Sequence, residues 1–343
     1  MIGTLIFSDG TTIEGSSFGY EQSVAGEIAF STSMMGYPES LTDPSYKGQI
    51  LTLSYPLVGN YGVPKRELWE SDKIQVSGLI VSHYQAVPSH YQSTMSLSDW
   101  LIQEKIPALE IPDTRFIVKK IRDEGAALVK IEFGTKLAFH DPNTDNLVSF
   151  VSTPTVQTYG NGKHKIVLID CGVKENIIRE LVKRDVTVIR VPWDYDFIAN
   201  PIPCDGVLVS NGPGDPKVVG KTIEIVKKIL KKKIPLFGIC LGNQILALAS
   251  GGDTYKLPFG HRGQNQPCAQ VGTDRCYITT QNHGFAIGKI PPGFKPWFIN
   301  SNDNTNEGII HTSLPFMSVQ FHPESSPGPL DTTWLFDHFI SKL

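Results

Sequence analysis

Three short stretches carry residue types that can do acyl chemistry: Cys240 in GICLGNQ, the glycine-bearing SNGPGDP at 210–216, and His322 with Glu324 in FHPES. Residues 234–239 predict a short buried strand, and Leu241, Ile245, Leu246 and Ala249 recur at the spacing of one helix face. Cys240 therefore falls at a strand-to-helix elbow flanked by Gly238 and Gly242. A tight turn there holds the sulfur clear of the backbone, and the first free amides of the helix favour a thiolate that can attack a carbonyl or amide carbon. A lone cysteine is also the ordinary description of an inert core residue, so position alone leaves both readings open. Gly212 and Gly214 allow backbone amides to approach an oxygen or carboxylate, or simply make a tight turn. His322 and Glu324, at i and i+2, share one side of an extended segment, where a base and its orienter could serve Cys240. An isolated HxE is equally a surface pair.

The elements that must position these residues form an α/β pattern. Strands are expected at 166–169, 186–191, 207–209 and 234–239, with helices at 174–183 and 219–232 between them. That alternation argues for a mostly parallel sheet covered by helices, in which function is sought beyond the strand C-termini, where all three loops fall. Segments 276–280, 309–311 and 317–321 extend or flank the sheet, and 332–343 supplies a last helix. The first half reads as mixed sheet and helix. A hairpin at 4–7 and 11–14 turns at Asp9 and Gly10, further strands lie at 27–31, 50–55 and 74–82, and helices at 97–104 and 113–123. Segment 36–62 is rich in glycine, proline and small polar residues that ask for ordered loops. The expected organisation is a first domain at 1–145, a linker at 146–163 and a second domain at 164–343.

The 343 residues suffice for two domains, and 40% hydrophobic with 19% charged residues is ordinary globular material. The net charge of −3 and scattered basic residues argue against nucleic acid; Lys227, Lys228 and Lys231 to Lys233 read as a solvated helix end. Nothing approaches a membrane span or a signal peptide. Cysteines at 171, 204, 240, 268 and 276 form neither a close metal pair nor a disulfide scaffold, and His83 and His90 are too far apart for a local zinc pair, so no metal is expected and a reducing compartment is. No GxxxxGKS or GxxxxGKT loop is present, and GNGK at 160–163 is too short to carry nucleotide binding. The final SKL is a peroxisomal address when truly terminal, against an otherwise cytoplasmic expectation.

FGICLGNQ, SNGPGDP, NHGF and QFHPE, in this order apart from the first two being exchanged, together resemble the Cys/His/Glu class I glutamine amidotransferases. The first half, through VAGEIAFSTSMMGYPESLTDPSYKGQILTLSYPLVGNYG, resembles the N-terminal domain of the small, glutamine-hydrolysing subunit of carbamoyl-phosphate synthetase; GHRGQNQP and HPESSPGP are similar to the same family. The resemblance implies that Cys240 is the nucleophile, His322 the proton carrier and Glu324 its orienter, with the amides of Gly212 and Leu241 at the oxyanion. It assigns Ser45, Gly212, Gly214, Leu241, Gln244, Asn282, Gly284 and Phe285 to glutamine binding. It also implies a large synthetase component, separate or fused, that uses the ammonia with bicarbonate, ATP and magnesium to make carbamoyl phosphate for pyrimidine or arginine synthesis, with no cofactor in this chain. Asn243 stands where many relatives carry histidine, and Cys240 where family members that rely on free ammonia have serine. Two other readings remain: a noncatalytic regulatory or scaffolding subunit, and a glutaminase serving another synthetase.

Overall fold

Asp9 and Gly10 turn the N-terminal hairpin: Gly10 takes φ 92° and Asp9 accepts the Thr11 amide at 2.8 Å. β1 (Ile2–Phe7) thereby pairs antiparallel with β2 (Thr12–Ser17), and Leu5 and Phe7, two apart, face inward. The computed structural model describes residues 1–343 and divides into two units, Met1–Asp145 and Asn146–Leu343.

The first unit continues through β3 (Val24–Ser31), α1 (Tyr37–Thr42), β4 (Gln49–Leu53), β5 (Gly78–Val81), α2 (Leu97–Gln103), β6 (Ala108–Glu110), α3 (Thr114–Glu124) and β7 (Leu128–Glu132). These strands close a barrel in the order β1-β2-β6-β5-β4-β3-β7, parallel from β3 through β6 and antiparallel elsewhere. The helix starts follow local capping: Ser96 accepts the Asp99 amide and Asp113 the Phe116 amide. The strand expected over 74–82 contracts to Gly78–Val81, because Val76 makes only an isolated bridge to Lys47. β6 and β7 escape sequence reading. β6 has only three residues, and β7 takes its place by pairing with both β1 and β3, which closes the barrel.

In the second unit the elements are α4 (Val148–Val151), β8 (Gln157–Tyr159), β9 (His164–Asp170), α5 (Glu175–Val182), β10 (Val186–Pro192), β11 (Gly206–Val209), α6 (Gly220–Lys231), β12 (Leu236–Ile239), α7 (Leu241–Ala249), β13 (Asp253–Gln270), β14 (Cys276–Lys289), β15 (Phe294–Asn300), β16 (Asn306–His311), β17 (Phe316–Val319) and α8 (Trp334–Ile340). They build a 10-stranded sheet, β14-β13-β15-β16-β17-β12-β11-β9-β10-β8, whose run from β17 to β10 is parallel. Alternation along β9 sends Ile166 and Leu168 to a core shared with α5 and α8, and Val167 and Ile169 to a core shared with α6 and α7. Segment 146–163 differs from a plain linker. It holds α4 and β8, which pairs with β10 through backbone hydrogen bonds that low apolar content did not foretell. The expected strand at 276–280 is one end of β14, a much longer partner of β13. No helix is long and apolar enough to cross a membrane.

β17, β12 and β11 are adjacent and parallel, so the loops following them leave the same edge of the sheet side by side.

Candidate active site

The elbow after β12 is strained in the way its position requires. Cys240 takes φ 54° and ψ −103°, a conformation that L-residues rarely adopt, that costs on the order of 1–3 kcal/mol and that persists only where its surroundings enforce it. Here the Cys240 amide donates to Val319 O at 2.9 Å, while its carbonyl accepts from the Asn243 and Gln244 amides at 3.0 and 3.3 Å. Gly242 must lack a side chain, since a Cβ would collide with the Val209 carbonyl of β11; a Cβ on Gly238 would lie 2.5 Å from Gly242 O. The thiol is 2% exposed, and its sulfur lies 3.7 Å from Asn282 O on β14.

His322 and Glu324 meet beyond β17 in a turn, not on the extended segment expected from their spacing; Nδ1 and Oε1 are 2.6 Å apart. Both side chains are fully buried. Burial alone would push the imidazole pKa down, but the Glu324 carboxylate and the adjacent Cys240 thiol more than offset it, so His322 is held well above the usual histidine range. Its Nε2 makes no hydrogen bond of ordinary length. The nearby Cys240 nevertheless adds to the imidazole's proton affinity. Burial would likewise raise the Glu324 carboxyl, yet Lys174 and His322 hold it below the usual carboxylate range.

Lys174 is a buried side chain at the site that sequence reading missed. It is 2% exposed, and its Nζ lies 3.0 Å from Glu324 Oε1 and donates to Ser325 O at 2.5 Å. Its backbone amide donates to Asn211 Oδ1 at 3.1 Å, tying the start of α5 to the SNGPGDP loop. A signal was available: lysine at a helix N-terminus opposes the helix dipole, so another charge must account for it. Lys174→Met is expected to destabilise the protein by about 3–5 kcal/mol, because it leaves the Glu324 carboxylate buried without that partner. The sign with pH follows from the depressed carboxyl. Its contribution to stability is present above the unfolded carboxylate pKa and is lost as pH falls through the folded one. Without Lys174 the folded pKa rises, so the acid limbs of both the unfolding and the pH–rate profiles should move to higher pH. Urea titrations across pH 3–8 (roughly the carboxylate-to-imidazole range) would show it; superimposable limbs would exclude the role.

The remaining candidates divide into groups. Gly212 packs directly on Leu241, since a Cβ there would lie 2.9 Å from Leu241 Cδ2 and would collide with Cys171 O. Leu241 opens α7, where a backbone amide has no intrahelical acceptor. The Gly212 backbone thus packs against the Leu241 side chain, and Leu241 is the residue that follows Cys240. Gln244, on the first turn of α7, donates to Phe285 O at 2.8 Å, and Asn282, Gly284 and Phe285 follow one another along β14. Gly284 lies beside Arg262, and Gly214, at φ 83°, packs near Leu147 on the loop that bears Gly212. Ser45 belongs to the first unit, where Pro44–Tyr46 form a 3-10 turn and its amide donates to Asp43 Oδ1 at 2.9 Å.

Behind the pocket strand, His261, His283 and Glu307 bring one potential ligand atom each within 4.8 Å of one another. His261, however, faces a carboxylate with each nitrogen, Glu307 at 3.2 Å and Asp303 at 2.8 Å. Burial would lower its pKa, but Glu307 and Asp303 raise it above the usual histidine range, which works against the neutral ring a metal ligand needs.

Residues 5–131 match the family described as Carbamoyl-phosphate synthase small chain, CPSase domain, and residues 167–342 match Glutamine amidotransferase class-I. The Carbamoyl phosphate synthase small chain of Pyrococcus furiosus is 44% identical over 365 residues, covering 99% of this chain and 97% of that protein. The mitochondrial Carbamoyl-phosphate synthase (ammonia) of Homo sapiens is 49% identical over 353 residues, and Multifunctional protein URA2 of Saccharomyces cerevisiae 46% over 387. Each match covers 99% of this chain, which spans only 23% of the former protein and 17% of the latter.

Proposed function

The chain belongs to the carbamoyl-phosphate synthase small-chain family and carries a class-I glutamine amidotransferase domain, and from that premise we propose that it hydrolyses glutamine and delivers the ammonia to a synthetase component making carbamoyl phosphate. The observation that carries this reading is the buried Cys240 thiol beside a His322 that Glu324 and Lys174 hold in place.

In the proposed reaction Cys240 attacks the side-chain amide carbon as a thiolate, and the oxygen's developing charge meets the amides of Gly212 and Leu241. Protonated His322 gives its proton to the departing ammonia, leaving a glutamyl thioester and a neutral imidazole. That imidazole then takes a proton from water as its oxygen attacks the thioester; glutamate leaves, and the thiolate and imidazolium are restored. Glu324 orients the ring and supports its charge without carrying the proton. Gly214, Gln244, Asn282, Gly284 and Phe285, with Ser45 from the first unit, are proposed to bind glutamine on the strength of the family resemblance.

We assign ATP, magnesium and bicarbonate to the large component, separate or fused, and propose no cofactor in this chain. We place the chain in the cytoplasm, in keeping with a cysteine spacing that offers no disulfide scaffold. The isolated chain is expected to be a poor glutaminase whose turnover rises when the large component binds, because an error of about 1 Å in such a site costs roughly 100-fold in rate and a partner that prefers the competent arrangement removes it. Glutamate and carbamoyl phosphate would be measured for the chain, a carbamoyl-phosphate synthetase large component and their complex. Unchanged glutamine turnover in the complex would reject the coupling, and copurification with a different synthetase would reassign the product.

A further inference from the structure

The side-chain amide of Gln320 has one orientation only, fixed by a chain of hydrogen bonds that starts at a backbone carbonyl. Phe285 O can only accept, and the terminal atom of Gln244 that lies 2.8 Å from it is therefore the amino group, Nε2. The same nitrogen lies 3.1 Å from a terminal atom of Gln320, which must be Oε1, and Asn243 Nδ2 donates to that oxygen at 2.9 Å. Asn243 is held in turn by the Ser318 hydroxyl, which donates to its Oδ1 at 2.7 Å. Gln320 Nε2 is thereby turned to the Cys240 sulfur, 3.7 Å away. Ser318, Asn243 and Gln320 are all fully buried, so water does not compete for these contacts.

We propose that Gln320 is a positioning residue for the nucleophile, its amide N–H stabilising the Cys240 thiolate, and that Asn243 keeps that amide facing the sulfur. This rests on reading Cys240 as the nucleophile. The need for such a donor comes from the sulfur's other neighbour, since Asn282 O at 3.7 Å accepts from a thiol but repels a thiolate. Ionisation turns that contact unfavourable, and a donor already in place offsets it without reorganising. The titratable group beside the sulfur is His322, with Glu324 and Lys174 behind it; His283 on β14 is the next along, and burial holds it neutral. The Gln320 amide differs from all of these in not titrating, so its support for the thiolate persists at every pH. The same contacts set what position 243 must supply, an N–H toward Gln320 Oε1, which asparagine provides and a histidine ring N–H would also provide.

The test is the rate of Cys240 alkylation by iodoacetamide against pH in the full chain, assigned to Cys240 by mass spectrometry and read without glutamine. Gln320→Met is expected to move the midpoint of that profile up by about one unit, a roughly tenfold loss of reactivity at fixed pH below it, with a fall in kcat that exceeds any change in KM. Asn243→Leu should move it the same way, and Asn243→His should restore it. A wild-type profile in folded Gln320→Met would overturn the proposal. Should that variant fail to fold, identical profiles for Asn243→Leu and Asn243→His would overturn it equally. Absence of glutamine turnover in the wild-type protein would instead strike the glutaminase reading, since the alkylation profiles stand apart from it.

Discussion

Cys240→Ala is expected to abolish glutamine hydrolysis, with a loss on the order of 10⁶-fold in kcat, the scale seen when a nucleophile is removed from a preorganised acyl-transfer site. None of the other four cysteines is placed to take over: Cys171, Cys204 and Cys268 have thiols pushed up by desolvation, and Cys276 opens β14, six residues before the Asn282 that touches Cys240. Cys240→Ser separates the chemistry from assembly. In the complex with the large component it should lose glutamine-driven carbamoyl phosphate formation while largely retaining synthesis from free ammonia. Loss of both would indicate a defect in assembly instead. Glutamate release by Cys240→Ala at the wild-type rate would remove the cysteine from the mechanism, and a folded wild-type chain that makes no glutamate with its partner bound would favour a noncatalytic subunit.

His322→Asn should be nearly as severe, because it deletes the group that carries the proton both to ammonia and from water. Glu324→Gln is expected to cost less, on the order of 10⁴-fold, since the base remains but the wrong ring nitrogen can carry its proton. The pH dependence distinguishes the two. In the wild-type protein His322 has a raised pKa, so the imidazolium that protonates ammonia is present through neutrality and is lost only as pH rises through that value. Removing the Glu324 charge takes away the largest influence opposing the burial of His322, and the alkaline limb of the pH–rate profile should fall to lower pH. An alkaline limb that stays in place in Glu324→Gln would show that the carboxylate does not govern the imidazole. An intact pH profile in His322→Asn would place the base elsewhere.

Local chemistry in the sequence determined the parts of this protein that depend on near neighbours. An apolar run passing into helical spacing at Cys240, glycines on both sides of it, and turn residues at Asp9 and Gly10 specify an elbow and a hairpin because backbone sterics act over a few residues. The alternation of short apolar strands with helices likewise determined a parallel sheet and where its loops emerge. The tertiary structure alone decided what lies far apart in the chain. β17, β12 and β11 became neighbours through strand order, which no local pattern encodes, and the barrel closed because β7 pairs with two strands distant in sequence. His322 and Glu324 met in a turn where an extended segment was expected. Lys174, 150 residues from Glu324, and the Ser318, Asn243 and Gln320 chain owe their partners to burial: a polar group withdrawn from water must find a hydrogen bond or an opposite charge wherever the fold brings one.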